Sequence, residues 1–220
     1  MDALIDNLLL RLPPAYRDFL EGAIEIWLNG GWAMIPIAVI GMVMFGMSAH
    51  VWLELSSKGH TGVPERTWRR WIDRPKERTG TIGALLDRVE GGRNLQEASE
   101  LFAQVRAAES APIERDLLVL KICASAAPLV GLLGTVTGML TTFSALATGS
   151  GGEKTMGLIA AGISEALITT ETGLVMAIPG VFLHYLLSRR HEGYKAFLAH
   201  VENVSVQCHH RRTQGIPALA

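Results

Sequence analysis

Residues 156–187 read MGLIAAGISEALITTETGLVMAIPGVFLHYLL, 32 consecutive positions with no lysine or arginine and only two acids, Glu165 and Glu171. A hydrocarbon core about 30 Å thick needs about 20 apolar residues at a helical rise of roughly 1.5 Å each. This run would extend roughly 48 Å as a helix, so it must tilt or project beyond a bilayer. Two further windows have the same character. Residues 32–52 contain no Asp, Glu, Lys or Arg, carry Trp32 and Trp52 where an aromatic belt would sit, and include only Pro36 and His50 as oddities. Residues 122–147 are 26 positions without a formal charge, rich in Gly, Ala, Ser and Thr. The fold class that follows is an all-α membrane protein with three transmembrane helices.

The whole chain agrees with that class. Of its 220 residues 49% are apolar and 19% charged, which excludes disorder. A net charge of −1 leaves no excess to hold a nucleic-acid backbone. Cys123 and Cys208 are too far apart in sequence for a metal spacing, and Cys123 lies in an apolar run where a thiol acts as a small hydrophobe. No Gly-rich phosphate loop, nucleophile elbow or paired metal-binding histidines occur, so neither a catalytic set nor a metal-ligand set is read and the chain is not taken for an enzyme.

Orientation follows from the basic residues. Two precede the first span, twelve lie in residues 53–121, one (Lys154) in residues 148–155, and five after Ser188. The positive-inside rule then sets residues 1–31 outside, 53–121 inside as a helical domain, 148–155 outside as a turn, and 188–220 inside as a tail. The inner segment also holds eleven acids, so it reads as solvated helices rather than as an anchor on anionic lipid. Residues 95–106 form one helix there, with Asn94 as its cap, and a second begins after Pro112 and runs into the 122–147 span. In the first segment, Phe19, Ala23, Ile26 and Trp27 recur at helical spacing beside Arg17, Asp18, Glu21 and Glu25, a pattern that fits an interfacial amphipathic helix or, equally, a solvated helical lead-in to the first span. The early acids are the wrong flank for a signal peptide.

Any chemistry lies in the second and third spans. Gly134 and Gly138 form a small-xxx-small pair that lets helix backbones approach closely, and Gly131, Gly162, Gly173 and Pro179 are read with them as packing positions. Thr135 and Thr137 are of the type that bonds its own helix carbonyls. The acids are less ordinary, since a charged, unpaired carboxylate at mid-membrane costs roughly 2.5–3.5 kcal/mol on insertion scales. Glu165 falls about ten residues past the outer turn, near mid-depth, one helical turn from Thr169 on the same face. Glu171 leaves the helix about 120° away. No Lys, Arg or Asp exists in any span to pair with them, and His50 and His184 fall near the inner ends. The glutamates are therefore protonated, face water, or meet a partner from a second protein, and each option suits a proton or cation path.

Residues 127–143, APLVGLLGTVTGMLTTF, and 162–179, GISEALITTETGLVMAIP, resemble in order and spacing the ExbB, TolQ and MotA group of inner-membrane motor subunits. The three-span pattern extends the likeness over most of the chain and is similar to the ExbB and TolQ branch, because the flagellar MotA branch has four spans. The resemblance implies a homopentameric ring of long helices with cytoplasmic extensions around a central pore. A single-span partner of the ExbD or TolR type, bearing a membrane aspartate, would occupy that pore, and a TonB- or TolA-like transducer would receive the work. No cofactor is implied, only a coupling ion, proton or sodium, in a bacterial inner membrane with the N-terminus periplasmic and the C-terminus cytoplasmic. By motif position Glu165 matches the pore carboxylate, and Thr135 in GLLGT and Thr170 in EALITT match the pore threonines. Glu171 departs from the pattern and is a candidate second acid on the ion path. The implied function couples proton flow to outer-membrane active transport or envelope maintenance. A sodium-driven motor subunit and a non-conducting membrane scaffold are the alternatives.

Overall fold

The computed structural model describes residues 22–24, 26–58, 67, 68, 70, 71, 78, 83, 84, 86, 87, 95–148 and 152–213, and of residues 95, 96, 98 and 208–213 the backbone alone. Arg17, Asp18, Phe19, Glu21, Glu25 and Asn94 fall outside the described residues, as does the side chain of Cys208. Ala23, Ile26 and Trp27 of the same amphipathic pattern are helical, and Cys123 is a free thiol.

Three long helices carry the described chain: α1 Met34–Ser57, α2 Leu95–Thr148 and α3 Glu153–Thr213. Each contains a stretch long and apolar enough to cross a membrane. Pro36 falls in the first turn of α1, where its missing N–H has no intrahelical partner to lose. α2 differs from the division expected between residues 106 and 112, because its 54 residues run unbroken through both Pro112 and Pro128. Each proline removes one backbone hydrogen bond, but Ile113, Leu117, Leu120, Ala124 and Ala127 are all buried along one face, and that packing holds the helix together. α3 likewise continues past Pro179 for a total of 61 residues.

Among the described residues the chain groups into two compact units, one from residues up to Met44 with Ile122–Val181, the other from Phe45–Lys121 with the residues from Phe182 onward. In the first unit, α2 and α3 run antiparallel at backbone contact. A Cβ on Gly173 would lie 2.8 Å from the Ala127 carbonyl oxygen, and one on Gly138 would lie 2.7 Å from the Gly162 carbonyl oxygen. Gly131 abuts the Thr169 carbonyl and the Thr170 Cα, and the Thr169 side chain fills the notch at Gly134. Gly180, one residue past Pro179, receives the Met44 side chain of α1. Outward, Leu129, Leu140, Leu167 and Ile178 are exposed, so the apolar residues surround these helices instead of forming a single stripe. Gly173→Ala is expected to destabilise the protein by about 1–3 kcal/mol through overpacking against backbone that cannot yield. Gly157→Ala, with open space around it, is expected to be neutral or slightly stabilising from helix propensity alone. Thermal melts of the two variants that moved together would remove the packing explanation.

The second unit is built on side chains of another kind. Trp68 is buried with its ring edge-on to Phe197 (6.2 Å) and His200 (5.4 Å). Lys58, a tenth exposed, pairs with Glu109 at 2.5 Å and Glu54 at 3.3 Å and lies 5.3 Å from the Tyr194 ring centre. Burial, then the Glu109 carboxylate, pushes the Tyr194 phenol above its ordinary range. Lys195 donates to Glu114 and holds that carboxyl below its ordinary value.

His191 is buried among these charges, 3.6 Å from Glu114, with no hydrogen bond to either ring nitrogen. Burial lowers its affinity for a proton, and Lys195 and Lys58 act in the same direction against the opposing Glu114. The unfolded chain then binds more protons than the folded one below the ordinary value of 6.5, so stability falls as pH drops through that value. Melting temperature should decline between about pH 7 and pH 5. His191→Phe should flatten that decline, and an unchanged slope would exclude His191 as its source.

Candidate ion-path site

The first unit contains every side chain that the sequence proposed for ion chemistry. Glu165 is half-buried on α3, and its carboxylate occupies the position a Cβ on Gly31 would take, in the turn at residues 30–33 between the helical residues 26–29 and α1. The sequence set Glu165 near mid-depth by counting from the outer turn. The structure sets it about 18 Å along α3 from Glu153 yet level with a residue that precedes α1. Depth along one helix and depth relative to its neighbours differ because α3 starts well before α1 in the common direction. Gly31 and its contact were missed, although the Gly30–Gly31 pair just ahead of an apolar run was a readable turn signal.

The hydroxyls are held mostly by backbone. Thr135 donates to the Leu132 carbonyl of its own helix at 2.6 Å, and Thr137 bonds the carbonyls of Leu133 and Gly134. Thr170 reaches between helices to the Gly131 carbonyl at 3.2 Å, sharing its proton with Ala166 of its own turn. Thr169, fully buried, bonds the carbonyls of Glu165 and Ala166. Among the described residues no side-chain hydrogen bond joins Glu165, Thr135 and Thr170 within one chain. Thr170 and Glu165 leave α3 on opposite flanks of the face that packs on α2, so any site using both lies across more than one surface of the subunit.

Glu171 is exposed and lines an apolar groove with Ile26, Trp27, Met34, Ile168 and Val175. Within the second unit, His50, Glu54 and Asp116 bring three potential metal-ligand atoms within 4.8 Å of one another, a grouping not read from sequence. His50 Nδ1 lies 3.4 Å from the Asp116 carboxylate, and Glu54 pairs with Lys58.

Residues 76–198 match the model of the MotA/TolQ/ExbB proton channel family. The chain is similar to the biopolymer transport protein ExbB of Pseudomonas putida, 42% identical over 78 residues, which is 36% of this chain and 23% of that protein. It is also similar to the Tol-Pal system protein TolQ of Pseudomonas aeruginosa, 42% identical over 84 residues, 38% of this chain and 36% of that one. A third likeness is to ExbB of Salmonella typhimurium, 40% identical over 74 residues, 34% of this chain and 30% of that protein. The matched stretches thus span between 23% and 36% of these relatives' own length. With its three apolar helices, the backbone-close pairing of α2 and α3 and the family match across more than half its length, this multi-pass membrane protein belongs to the MotA/TolQ/ExbB proton channel family.

Proposed function

We propose that the chain is a subunit of an ExbB- or TolQ-like motor that converts proton flow across the bacterial inner membrane into mechanical work. The observation that carries this reading is Glu165, an acid in a segment of α3 that the family model matches, with no Lys or Arg in any of the three spans to neutralise it. Burying such a group without compensation is costly, and a partner acid sharing protons with it is the simplest compensation. Relatives carry names of biopolymer transport and of the Tol-Pal system, which supports the same class of work.

In this reading five subunits form a ring, with the N-terminus periplasmic and the second unit cytoplasmic. An ExbD- or TolR-like single-span partner brings an aspartate into the pore. A proton entering down the gradient, with about 2.3 kcal/mol released per 100 mV, neutralises that aspartate beside Glu165. Loss of the charge alters which contact is favoured, and the partner helix shifts relative to the ring. Thr170 and Thr135 supply hydroxyls along the path, and Glu171 is a second acid on the subunit's outer surface. The moving partner passes work to a TonB- or TolA-like transducer. The test is to co-reconstitute the full chain with its single-span partner in liposomes and impose a pH gradient. Proton uptake above that of liposomes with either protein alone is expected, and equal uptake would overturn the reading. Replacing protons by a sodium gradient as the driving ion identifies the coupling ion.

A further inference from the structure

Gly31 has a backbone that few other residues adopt, with φ of 64°, and its carbonyl accepts the Met34 N–H at 3.3 Å. It therefore closes the short helix before it and opens the first turn of α1. The position a Cβ would take on Gly31 is occupied by Glu165, whose Oε1, Cδ and Cγ all crowd it. Beside it, a Cβ on Gly30 would meet Met34 and the Ile168 Cγ2 at 3.2 Å, so the whole glycine pair is pressed against α3. The notch lies just ahead of the N-terminal end of α1, where the helix dipole favours an anion.

We propose that Gly31 is the positioning residue for the ion-path acid, its absent side chain forming a notch in which the Glu165 carboxylate rests against α1 when it is not engaged by the partner. The inference rests on the reading of Glu165 as the ion-path acid. It places one end of the carboxylate's travel at a backbone site just ahead of α1, a part of the chain to which the sequence assigned no part of the path. A methyl group at residue 31 would evict the carboxylate and change both how readily it accepts a proton and where it waits.

The test measures gradient-driven proton flux against pH for the full complex in liposomes. Gly31→Ala is expected to lower flux by about tenfold or more and to displace the pH of half-maximal flux, in keeping with the cost of misplacing a reacting group. Gly152→Ala controls for backbone strain, because Gly152 also has positive φ (113°) but open space where its Cβ would be. It should leave flux and pH midpoint unchanged. Glu165→Asp shortens the side chain by one methylene, so in that background Gly31→Ala should cost no more than about twofold. An infrared difference spectrum, wild type minus Glu165→Gln, reads the Glu165 carboxyl band without any need for transport, and Gly31→Ala should shift that band. An unshifted band, a normal pH midpoint in Gly31→Ala, or an equal cost of Gly31→Ala in both backgrounds would overturn the proposal. Wild-type flux in Glu165→Gln would overturn the ion-path reading itself, whereas an inactive Glu165→Gln beside a normal Gly31→Ala would overturn the role of Gly31 alone.

Discussion

Glu165→Gln is expected to bring gradient-driven flux down by about two orders of magnitude or more, the range in which loss of a proton-transferring group falls. The protein should still insert and assemble. Glutamine matches glutamate in shape, so the contact with Gly31 survives, and the buried neighbours Ala166 and Thr169 hold α3 against α2 independently of the charge. Only the ability to exchange a proton is removed. Glu171→Gln is the informative contrast, because that acid is exposed and in a groove with Ile26, Trp27 and Val175. It should lower flux less than Glu165→Gln. Flux assays on both variants, with assembly checked by native mass spectrometry, distinguish a lost proton site from a lost ring. Wild-type flux in an assembled Glu165→Gln complex would end the ion-path assignment.

Lys58→Met is expected to cost about 3 kcal/mol of stability, the lower end of the range for breaking a buried ion pair. The lysine side chain is only a tenth exposed, while Glu54 and Glu109 each retain about a quarter of their exposure and can recover some hydration. Its removal leaves two neighbouring carboxylates facing each other beside Tyr194, which itself donates to Glu109 at 3.4 Å. Adding Glu109→Leu to Lys58→Met should recover part of the loss, since an apolar pair of similar volume replaces a broken ionic one. Chemical denaturation in detergent measures both variants. A Lys58→Met protein as stable as wild type would mean that solvent screens the cluster more than its burial indicates.

The three apolar helices were legible because a helix in lipid must satisfy all its own backbone bonds, and a long uncharged run has no other stable form there. The glycine positions on α2 and α3 were legible as a spacing, because residues four apart share a helix face. Glu165 stood out as an acid without a base in its surroundings. Other features left little trace. Pro112 is a break signal by local rules, yet the buried row from Ile113 to Ala127 overrides it within a 54-residue helix. His191, Lys58 and Tyr194 lie far apart along the chain and carry no pattern that joins them.

Residue order alone thus implied spanning helices, their number and an unpaired acid, all properties of local composition against a bilayer. Packing in three dimensions settled which neighbour each side chain meets. Glu165 shows the difference, because its contact is a glycine 134 positions earlier in the chain. That contact depends on how far α3 has advanced when α1 begins, a relative shift between helices that no single helix's sequence encodes. The packing of α3 on α2 likewise directs Thr170 at the backbone of Gly131.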